Sequence, residues 1–276
     1  VTRYSPRVCI EKKTVALKIL GAETIRDETS RTRFLREVAA PAAIGHDGIV
    51  EVYDAGFDAA VGALFVAMEM LHGETLRALL VRGGVTPARI VQIVLELLPA
   101  LAAAHAAGFI HRDLKPENVF LHRRRDGTER VRILDFGIAR SLDQETSVTQ
   151  SGVAMGTPHY MSPEQASSAR DVTPATDVWA VGVILYEALV HEPPFRGDTL
   201  ASLVVDVLTR PHRPCLEAAP GVPPAIAAVV DRCLDKDATH RPRDAAALLG
   251  VLQGAAESSG LVARAHEQTS VGGQPQ

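Results

Sequence analysis

The pattern of hydrophobic and polar positions changes about a quarter of the way along the chain. Short runs of β-branched and apolar residues at 14–20, 49–53 and 63–70 predict β-strands. A segment of helical composition at 31–44 lies between the first two runs. The start of the chain is therefore predicted to be a small strand-rich unit with one helix.

Long apolar helices dominate the remainder of the chain, which is predicted to form a larger helical unit. Thr86 and Thr173 are each followed by proline, and a threonine N-cap before a proline at the first helical position indicates a helix start. Pro99 is expected to kink the first of these helices. Short strands are predicted at 119–121 and 131–134, and further helices at 200–208 and 225–234.

Charge and composition are those of an ordinary globular protein. The 276 residues include 29 Lys and Arg against 33 Asp and Glu, a net charge of −4, and 46% of them are hydrophobic. Nucleic-acid binding rests on clustered Lys and Arg, and the basic cluster at 123–125 lies in a predicted loop. We therefore expect no nucleic-acid partner.

Cysteine usage and hydropathy indicate a reducing compartment. Cys9, Cys215 and Cys233 are odd in number and far apart, which argues against a disulfide framework and a structural zinc site. The most apolar stretch, 90–107, is interrupted by polar residues and a proline, so we expect a core helix and no membrane segment in this chain. A cytoplasmic location is the expectation, and a membrane anchor beyond residue 276 of a longer protein stays open.

Two polar motifs lie close to the predicted short strands. HRDLKPEN contributes Asp113, Lys115 and Asn118, and a later DFG contributes Asp135. Carboxylate and amide oxygens suit Mg²⁺, which completes its coordination shell with phosphate and water. A lysine beside them can stabilise negative charge on a transferred phosphoryl group.

The order of the motifs resembles that of protein kinases. HRDLKPEN matches the catalytic loop, DFG the metal-binding triplet, VALK at 15–18 the strand lysine motif and SPE at 162–164 the APE motif. The resemblance covers about residues 14 to 252 and implies an α+β, bilobal protein kinase fold. The expected divisions are a partial N-lobe with hinge at 1–71, a C-lobe at 72–253 and a disordered tail or linker at 254–276.

By this resemblance, ATP and Mg²⁺ are the expected cofactors. Lys18, paired with Glu37, would contact the α- and β-phosphates of ATP. Asn118 and Asp135 would coordinate the metal and belong to the same nucleotide site.

Residues 65–71 resemble the strand and hinge that hold adenine. Ala16, Glu69 and Leu71 are the expected contacts there, the last two through their backbone. Met68 lies at the gatekeeper position and can equally be core filling, and the two interpretations are compatible.

The resemblance also assigns the chemical step. Asp113 would orient the substrate hydroxyl and accept its proton, while Lys115 would steady the γ-phosphate. A lysine two residues after the catalytic aspartate, together with Thr157 on the substrate platform, is the serine/threonine-kinase pattern. We therefore expect protein substrates with Ser or Thr acceptors.

The segments at 147–151 and 161–166 resemble those of bacterial eukaryotic-like (Hanks-type) serine/threonine kinases. This resemblance implies a role in bacterial signal transduction and makes Thr149 and Ser151 candidate autophosphorylation sites, with Arg112 as a cation for a phosphorylated loop. The alternative is that both hydroxyls are simply solvated loop groups.

Three further residues resemble structural positions of the family. Asp177, at a helix N-terminus, is expected to hold the catalytic-loop backbone. Glu164 and Arg241 are expected to form a buried ion pair, and His111 to serve as a packing residue.

The chain departs from the family pattern at its start. Residues 1–13 contain no glycine, so the GxGxxG loop that covers ATP phosphates is absent. Either the chain was cut after that loop, which a Val1 start favours, or the protein lacks it. We expect an uncovered sheet edge, low small-lobe stability and weak ATP affinity. Pro41 could bend the helix of Glu37 and so affect the pairing with Lys18.

These departures motivate a rival hypothesis, a pseudokinase-like scaffold or inactive fragment. The intact set of catalytic and metal residues argues against it. A small-molecule phosphotransferase agrees poorly with the motifs at 156–158 and 162–164, which build a platform for a protein substrate. Homodimerisation is possible by family analogy alone.

Overall fold

The fold is derived from a computed structural model of the chain. It describes residues 3–10, 13–20, 44–60, 62–135, 158–167 and 172–262, together with Thr32, Phe34, Leu35 and Val38.

The N-lobe contains an antiparallel four-stranded sheet with the order β1-β2-β4-β3. The predicted strand around Lys18 lies inside this sheet, because β2 pairs with β1 on one side and with β4 on the other. The strands are β1 (Arg3–Ile10), β2 (Lys13–Leu20), β3 (Val52–Asp58) and β4 (Ala63–Glu69).

β1 was not among the predicted elements, and it corrects the expectation of an open edge beside β2. The strand contains Pro6, which cannot donate to a sheet ladder. The pairing with β2 accommodates this residue through a register shift between Ser5 and Val8. The strand that carries Lys18 is therefore covered on both sides.

A small hydrophobic cluster fills the N-lobe behind the sheet. Phe34 and Val38 are helical and fully buried, and their spacing of four residues puts both on one helix face. They meet sheet residues such as Val66 and Met68. Glu37 and Pro41, which belong to the same predicted helix, lie outside the described residues.

The C-lobe combines a second three-stranded sheet with helices. The strands are β5 (Gly73–Thr75), β6 (Val119–Arg123) and β7 (Glu129–Ile133), in the order β5-β6-β7. The helices are α1 (Leu76–Arg82), α2 (Pro87–Ala106), α3 (Pro163–Ser167), α4 (Pro174–Val190), α5 (Leu200–Thr209), α6 (Cys215–Ala218), α7 (Pro224–Cys233) and α8 (Ala245–Ser258).

The predicted helix starts agree with the structure. The Thr86 side chain accepts a hydrogen bond from the Arg89 backbone at 3.3 Å, which caps α2. Thr173 is the N-cap residue of α4, without a side-chain cap bond. In both helices a proline occupies the first turn, where its missing N–H costs no intrahelical hydrogen bond.

α4 is the central helix of the C-lobe and is buried along almost its whole length. Gly182 lets α7 approach closely, since a Cβ at this position would lie 2.6 Å from the Cβ of Cys233. Trp179 is fully buried and stacks on Phe195 with 5.3 Å between ring centroids. The packing of α4 fixes the position of Asp177 in its first turn.

Two expectations concern helices of the C-lobe. α2 is the one helix in the described ranges that is long and apolar enough to cross a membrane, and Leu97, Leu98 and Leu101 on it are buried in the C-lobe core. α8 runs past Gly254 to Ser258, and Ala256 is fully buried, so the predicted start of a tail at 254 is too early. Burial of this last turn offsets the low helix propensity of glycine.

A buried ion pair joins α3 to the segment that precedes α8. The Arg241 guanidinium is fully buried and donates to both carboxylate oxygens of Glu164, at 2.9 and 3.0 Å. It also donates to the Asp235 and Ala175 carbonyls and lies 4.9 Å from the Trp179 ring centroid. Burial opposes the charge of Glu164, but the Arg241 interaction outweighs it and lowers the pKa of Glu164.

The substitution Arg241→Met should lower the free energy of unfolding by about 3–5 kcal/mol, because it leaves the Glu164 carboxylate buried without its cation. In the wild type this contribution is present above the ordinary glutamate pKa and is lost as pH falls through the lowered folded-state pKa. Urea unfolding at neutral pH measures the loss. Arg243→Met removes an exposed cation paired with Asp244 and should change stability little. Equal losses in the two variants would contradict this account.

Candidate active site

The loop between α2 and β6 brings three of the predicted residues together. The Lys115 ammonium lies 2.7 Å from Oδ2 of Asp113. The Asn118 side-chain amide donates to the Asp113 carbonyl at 2.8 Å and approaches Oδ2 at 3.4 Å. One face of the Asp113 carboxylate is therefore held by a cation and an amide.

Asp177 holds the backbone of this loop. Its carboxylate accepts hydrogen bonds from the N–H groups of His111, at 2.7 Å, and Arg112, at 2.9 Å. Arg112 has a φ of +65°, a strained conformation for a residue with a side chain. Gln165 of α3 donates to the Arg112 carbonyl at 2.8 Å. The two flanking bonds keep the residue before Asp113 in this conformation.

His105 is a contributor that sequence reasoning missed. Its Nε2 lies 2.9 Å from Asp177 Oδ2, and its Nδ1 accepts the Ala245 backbone N–H at 3.2 Å. Since Nδ1 is an acceptor, the proton is on Nε2, which donates to Asp177. The histidine thus links the N-terminus of α8 to the carboxylate that holds the loop. Its partners are distant in sequence, so no local signal pointed to it.

Lys18 of the N-lobe and Asp135 of the C-lobe form an ion pair between the two lobes. The Lys18 ammonium lies 2.7 Å from Asp135 Oδ2, and both side chains are largely buried. Asp135 follows β7 and has a φ of +50°. The structure therefore brings the predicted phosphate-contacting lysine directly to the predicted metal-binding carboxylate.

Leu134 ties the Asp135 segment to the catalytic loop through its backbone. Its N–H donates to the Asn118 carbonyl at 2.8 Å, and its carbonyl lies 2.9 Å from Nε2 of His111. His111 is fully buried, in agreement with a packing role. These bonds align the two predicted metal ligands, Asn118 and Asp135, on adjacent segments.

The donor set fits a nucleotide-bound Mg²⁺. The Asn118 amide nitrogen is used by Asp113, which leaves its Oδ1 for a cation, and Asp135 supplies carboxylate oxygens. Across the described ranges, no group of three or more His, Cys, Asp or Glu side chains could hold a metal ion by itself. A magnesium ion here needs phosphate oxygens and water to complete its shell.

The predicted adenine contacts lie along β2, β4 and the segment after it. Ala16 is the cross-strand partner of Met68, which is buried, and Leu71 packs against the same N-lobe cluster. The Glu69 carboxylate accepts the Glu51 backbone N–H at 3.0 Å.

Arg132 of β7 anchors the end of β4. Sequence reasoning did not predict this contact either. Its buried guanidinium forms ion pairs with Glu69 and, at 2.9 Å, with Asp47. It therefore links the C-lobe sheet to the end of the strand that precedes the hinge. An isolated arginine in a short strand gives no sequence signal for this contact.

Several predicted site residues lie outside the described residues. They are Glu37, the candidate phosphorylation sites Thr149 and Ser151, and Thr157 of the substrate platform. Their roles stay predictions.

A family model described as "Protein kinase domain" matches residues 7–250. The chain therefore belongs to the protein kinase family, which confirms the α+β bilobal class. The crystal structure of the PknI kinase domain of Mycobacterium tuberculosis has the same fold, with a TM-score of 0.67 and 23% identity over 88% of this chain and 85% of that one.

Two of the curated relatives that the chain matches are bacterial proteins. The serine/threonine-protein kinase pkn3 of Myxococcus xanthus is 39% identical over 247 residues, 87% of this chain and 45% of the relative. The serine/threonine-protein kinase PknB of Mycobacterium leprae is 38% identical over 237 residues, 85% of this chain and 37% of the relative. The chain thus spans less than half of the length of either relative.

The substitution Asp177→Ala should release the catalytic loop, since it leaves the N–H groups of His111 and Arg112 without an acceptor. With about 1–3 kcal/mol for each unsatisfied donor, the free energy of unfolding should fall by about 3 kcal/mol or more. Hydrogen exchange by mass spectrometry should show faster exchange in residues 111–113.

Asp231→Ala is the matched control. Asp231 also accepts a backbone N–H, from Cys215 at 2.9 Å, and contacts a histidine, His212 at 2.9 Å. This variant should lose stability without selective exchange in the catalytic loop. Identical exchange patterns in the two variants would argue against a specific role for Asp177.

Proposed function

We propose that the chain is the catalytic domain of a bacterial serine/threonine protein kinase that uses ATP and Mg²⁺. One observation carries the proposal: the Asp113 carboxylate, held by Lys115 and Asn118, is joined through the Leu134 backbone to the Lys18–Asp135 pair. The residues proposed as proton acceptor, phosphate-contacting lysine and metal ligands are thus connected by direct contacts and backbone hydrogen bonds. The names of the relatives support the same activity.

The nucleotide side of the site rests on Lys18, Asn118 and Asp135. When bound, ATP with Mg²⁺ supplies the phosphoryl group and neutralises its charge. Asn118 Oδ1 and the Asp135 carboxylate would hold the metal, and Lys18 would contact the α- and β-phosphates. Asp135 already positions the Lys18 ammonium, because the two groups are 2.7 Å apart. Ala16 and the backbone at Glu69 and Leu71 would contact adenine.

The acceptor side rests on Asp113 and Lys115. Asp113 accepts the proton of a Ser or Thr hydroxyl as that oxygen attacks the γ-phosphate. The bonds from Lys115 and Asn118 fix the carboxylate, so the hydroxyl is oriented at little entropic cost. Lys115 lies beside Asp113 and neutralises charge on the transferred group.

A pseudokinase-like scaffold is the second candidate, favoured by the absence of glycine in residues 1–13. The proximity of Lys18 to Asp135 and of Lys115 to Asp113 supports turnover, because a scaffold has no need of these contacts. A cytoplasmic location, a signalling role and homodimerisation stay predictions.

The test of the proposed function is incubation of the purified chain with labelled ATP, Mg²⁺ and a general protein substrate. Asp113→Asn removes the proton acceptor and should reduce the initial rate by about 100-fold or more. Nucleotide binding, measured by calorimetry, should be retained in this variant and lost in Lys18→Met. The control Asp126→Asn changes an exposed loop carboxylate and should be fully active. Equal labelling by wild type and Asp113→Asn contradicts the assignment, and nucleotide binding without labelling favours the scaffold.

We also propose Thr149 and Ser151 as autophosphorylation sites. In support of this proposal, Arg112 supplies a cation that can bind a phosphorylated residue. Mass spectrometry of an active preparation should find phosphate on one or both residues. The Asp113→Asn variant, expressed and treated in the same way, should carry none. Phosphate confined to other residues in active protein would reject this role.

A further inference from the structure

A second cluster of charged groups lies outside the phosphate site, centred on Arg77 of α1. The Arg77 guanidinium contacts Glu117 Oε1 at 2.9 Å and Glu187 Oε1 at 2.7 Å. It also contacts the Tyr160 hydroxyl, which donates to Glu187 Oε2. We call these four residues the Arg77 cluster.

The Arg77 cluster lies next to the catalytic loop and to the segment proposed as the substrate platform. Glu117 belongs to the same turn as Asn118, directly after the loop that carries Asp113. Tyr160 ends the 3₁₀ turn Pro158–Tyr160, immediately after the segment of Thr157. The cluster therefore joins the catalytic loop to the segment proposed as the substrate platform.

Arg77 is the cation of the cluster, and without it two carboxylates would lie close together. Burial opposes the guanidinium charge, but hydrogen bonds to Glu187 and Glu117 outweigh it and raise the pKa of Arg77 above its ordinary value. Burial and the bond to Glu187 raise the pKa of Tyr160, so that group stays neutral. One permanent cation thus lies between two carboxylates.

The side chains of the cluster are partly exposed to solvent. The side chains of Arg77, Glu117 and Glu187 are 27%, 39% and 20% exposed. Glu117 Oε2 is itself buried and has no hydrogen-bond partner within the part of the chain that the structure describes. A cavity of about 230 Å³ adjoins the cluster and is lined by Arg77, Leu80, Val81, Gly83, Val85, Glu187 and His191.

We propose that Arg77 is a specificity-determining residue that occupies, from within the chain, the space between Glu117 and Glu187. It thereby prevents these carboxylates from selecting protein substrates that carry Arg or Lys beside the acceptor hydroxyl. The inference rests on the proposed kinase function and deepens it, because it makes substrates without a flanking cation the favoured class. Without Arg77, the same carboxylates are free to bind a substrate guanidinium.

The test compares peptides that differ by one residue. Each pair has the same Ser acceptor and carries either Arg or Gln at one flanking position, and the positions are scanned in turn. The readout is the ratio of kcat/KM for the Arg peptide to that for the Gln peptide. For Arg77→Met, this ratio should rise at one position by about tenfold or more over wild type, as expected for a new charge-assisted hydrogen bond. A ratio that stays at the wild-type value at every position overturns the inference.

Two controls separate specificity from a structural role. Arg89→Met removes a cation paired with Glu129 in the same lobe and away from the catalytic loop, and should leave the ratio unchanged. A rise equal to that of Arg77→Met would indicate a general effect of net charge and overturn the inference. The triple variant Arg77→Met, Glu117→Gln, Glu187→Gln should return to the wild-type ratio of kcat/KM values. A ratio that stays raised in the triple variant would also overturn the inference.

If Arg77→Met does not fold, the double variant Arg77→Met, Glu187→Gln replaces it. It leaves one carboxylate, Glu117, and should still raise the ratio, whereas an unchanged ratio overturns the inference. Failure of the proposed function is distinguishable, because wild-type protein would then phosphorylate no peptide, and both proposals would fall together. Active wild-type protein with no shift in the variants contradicts the role of Arg77 alone.

Discussion

The active-site geometry depends on one buried carboxylate, that of Asp177. It accepts two consecutive backbone N–H groups of the catalytic loop and one histidine N–H. The loop has no regular secondary structure at these residues, so its backbone groups need partners from elsewhere. α4 is packed on all sides by the C-lobe core, so the position of Asp177 is fixed. The loop is held rigidly because its N–H groups bind this fixed carboxylate. A strained residue, Arg112, can therefore precede Asp113, the proposed proton acceptor.

Charged groups in this protein perform two different tasks. The Glu164–Arg241 pair is buried and fixes α3 against the rest of the C-lobe. The Lys18–Asp135 pair connects the two lobes and uses groups that a nucleotide and its metal would contact. Arg132 adds a third link, between β7 and the end of β4. In the first case the pair serves packing, and in the second it brings together two groups that are proposed to contact a ligand.

Sequence reasoning predicted the elements that are encoded locally. The helix starts at Thr86 and Thr173 follow from capping chemistry within a few residues, and the kinase motifs are contiguous. β1 was missed because the absence of the glycine loop led to the expectation of an uncovered sheet edge, whereas residues 3–10 form a strand that accommodates Pro6 through a register shift against β2. The tail was predicted to start at 254 because few large apolar residues follow Gly254, whereas burial of Ala256 sustains α8 to Ser258.

A different reason explains why sequence reasoning did not predict three other residues. His105, Arg77 and Arg132 act through partners that are distant along the chain, such as Asp177 and Glu69. Their identity as ordinary polar residues on helices or strands gives no indication of these contacts. Pairing of this kind becomes visible only when the packing of α1, α2, α4 and β7 brings the segments together. Motif residues were predictable for the opposite reason, since their spacing is part of the signal.

The backbone bonds of Leu134 have a consequence for how the site tolerates change. Its N–H and carbonyl, and not its side chain, connect the segment of Asp135 to Asn118 and His111. Substitution of the side chain at 134 should therefore leave the spacing of the two proposed metal ligands intact, provided that the new residue still packs against the N-lobe cluster. The spacing of Asn118 and Asp135 is thus set by main-chain hydrogen bonds at residue 134. The side chain at the same position can vary together with the packing of the N-lobe.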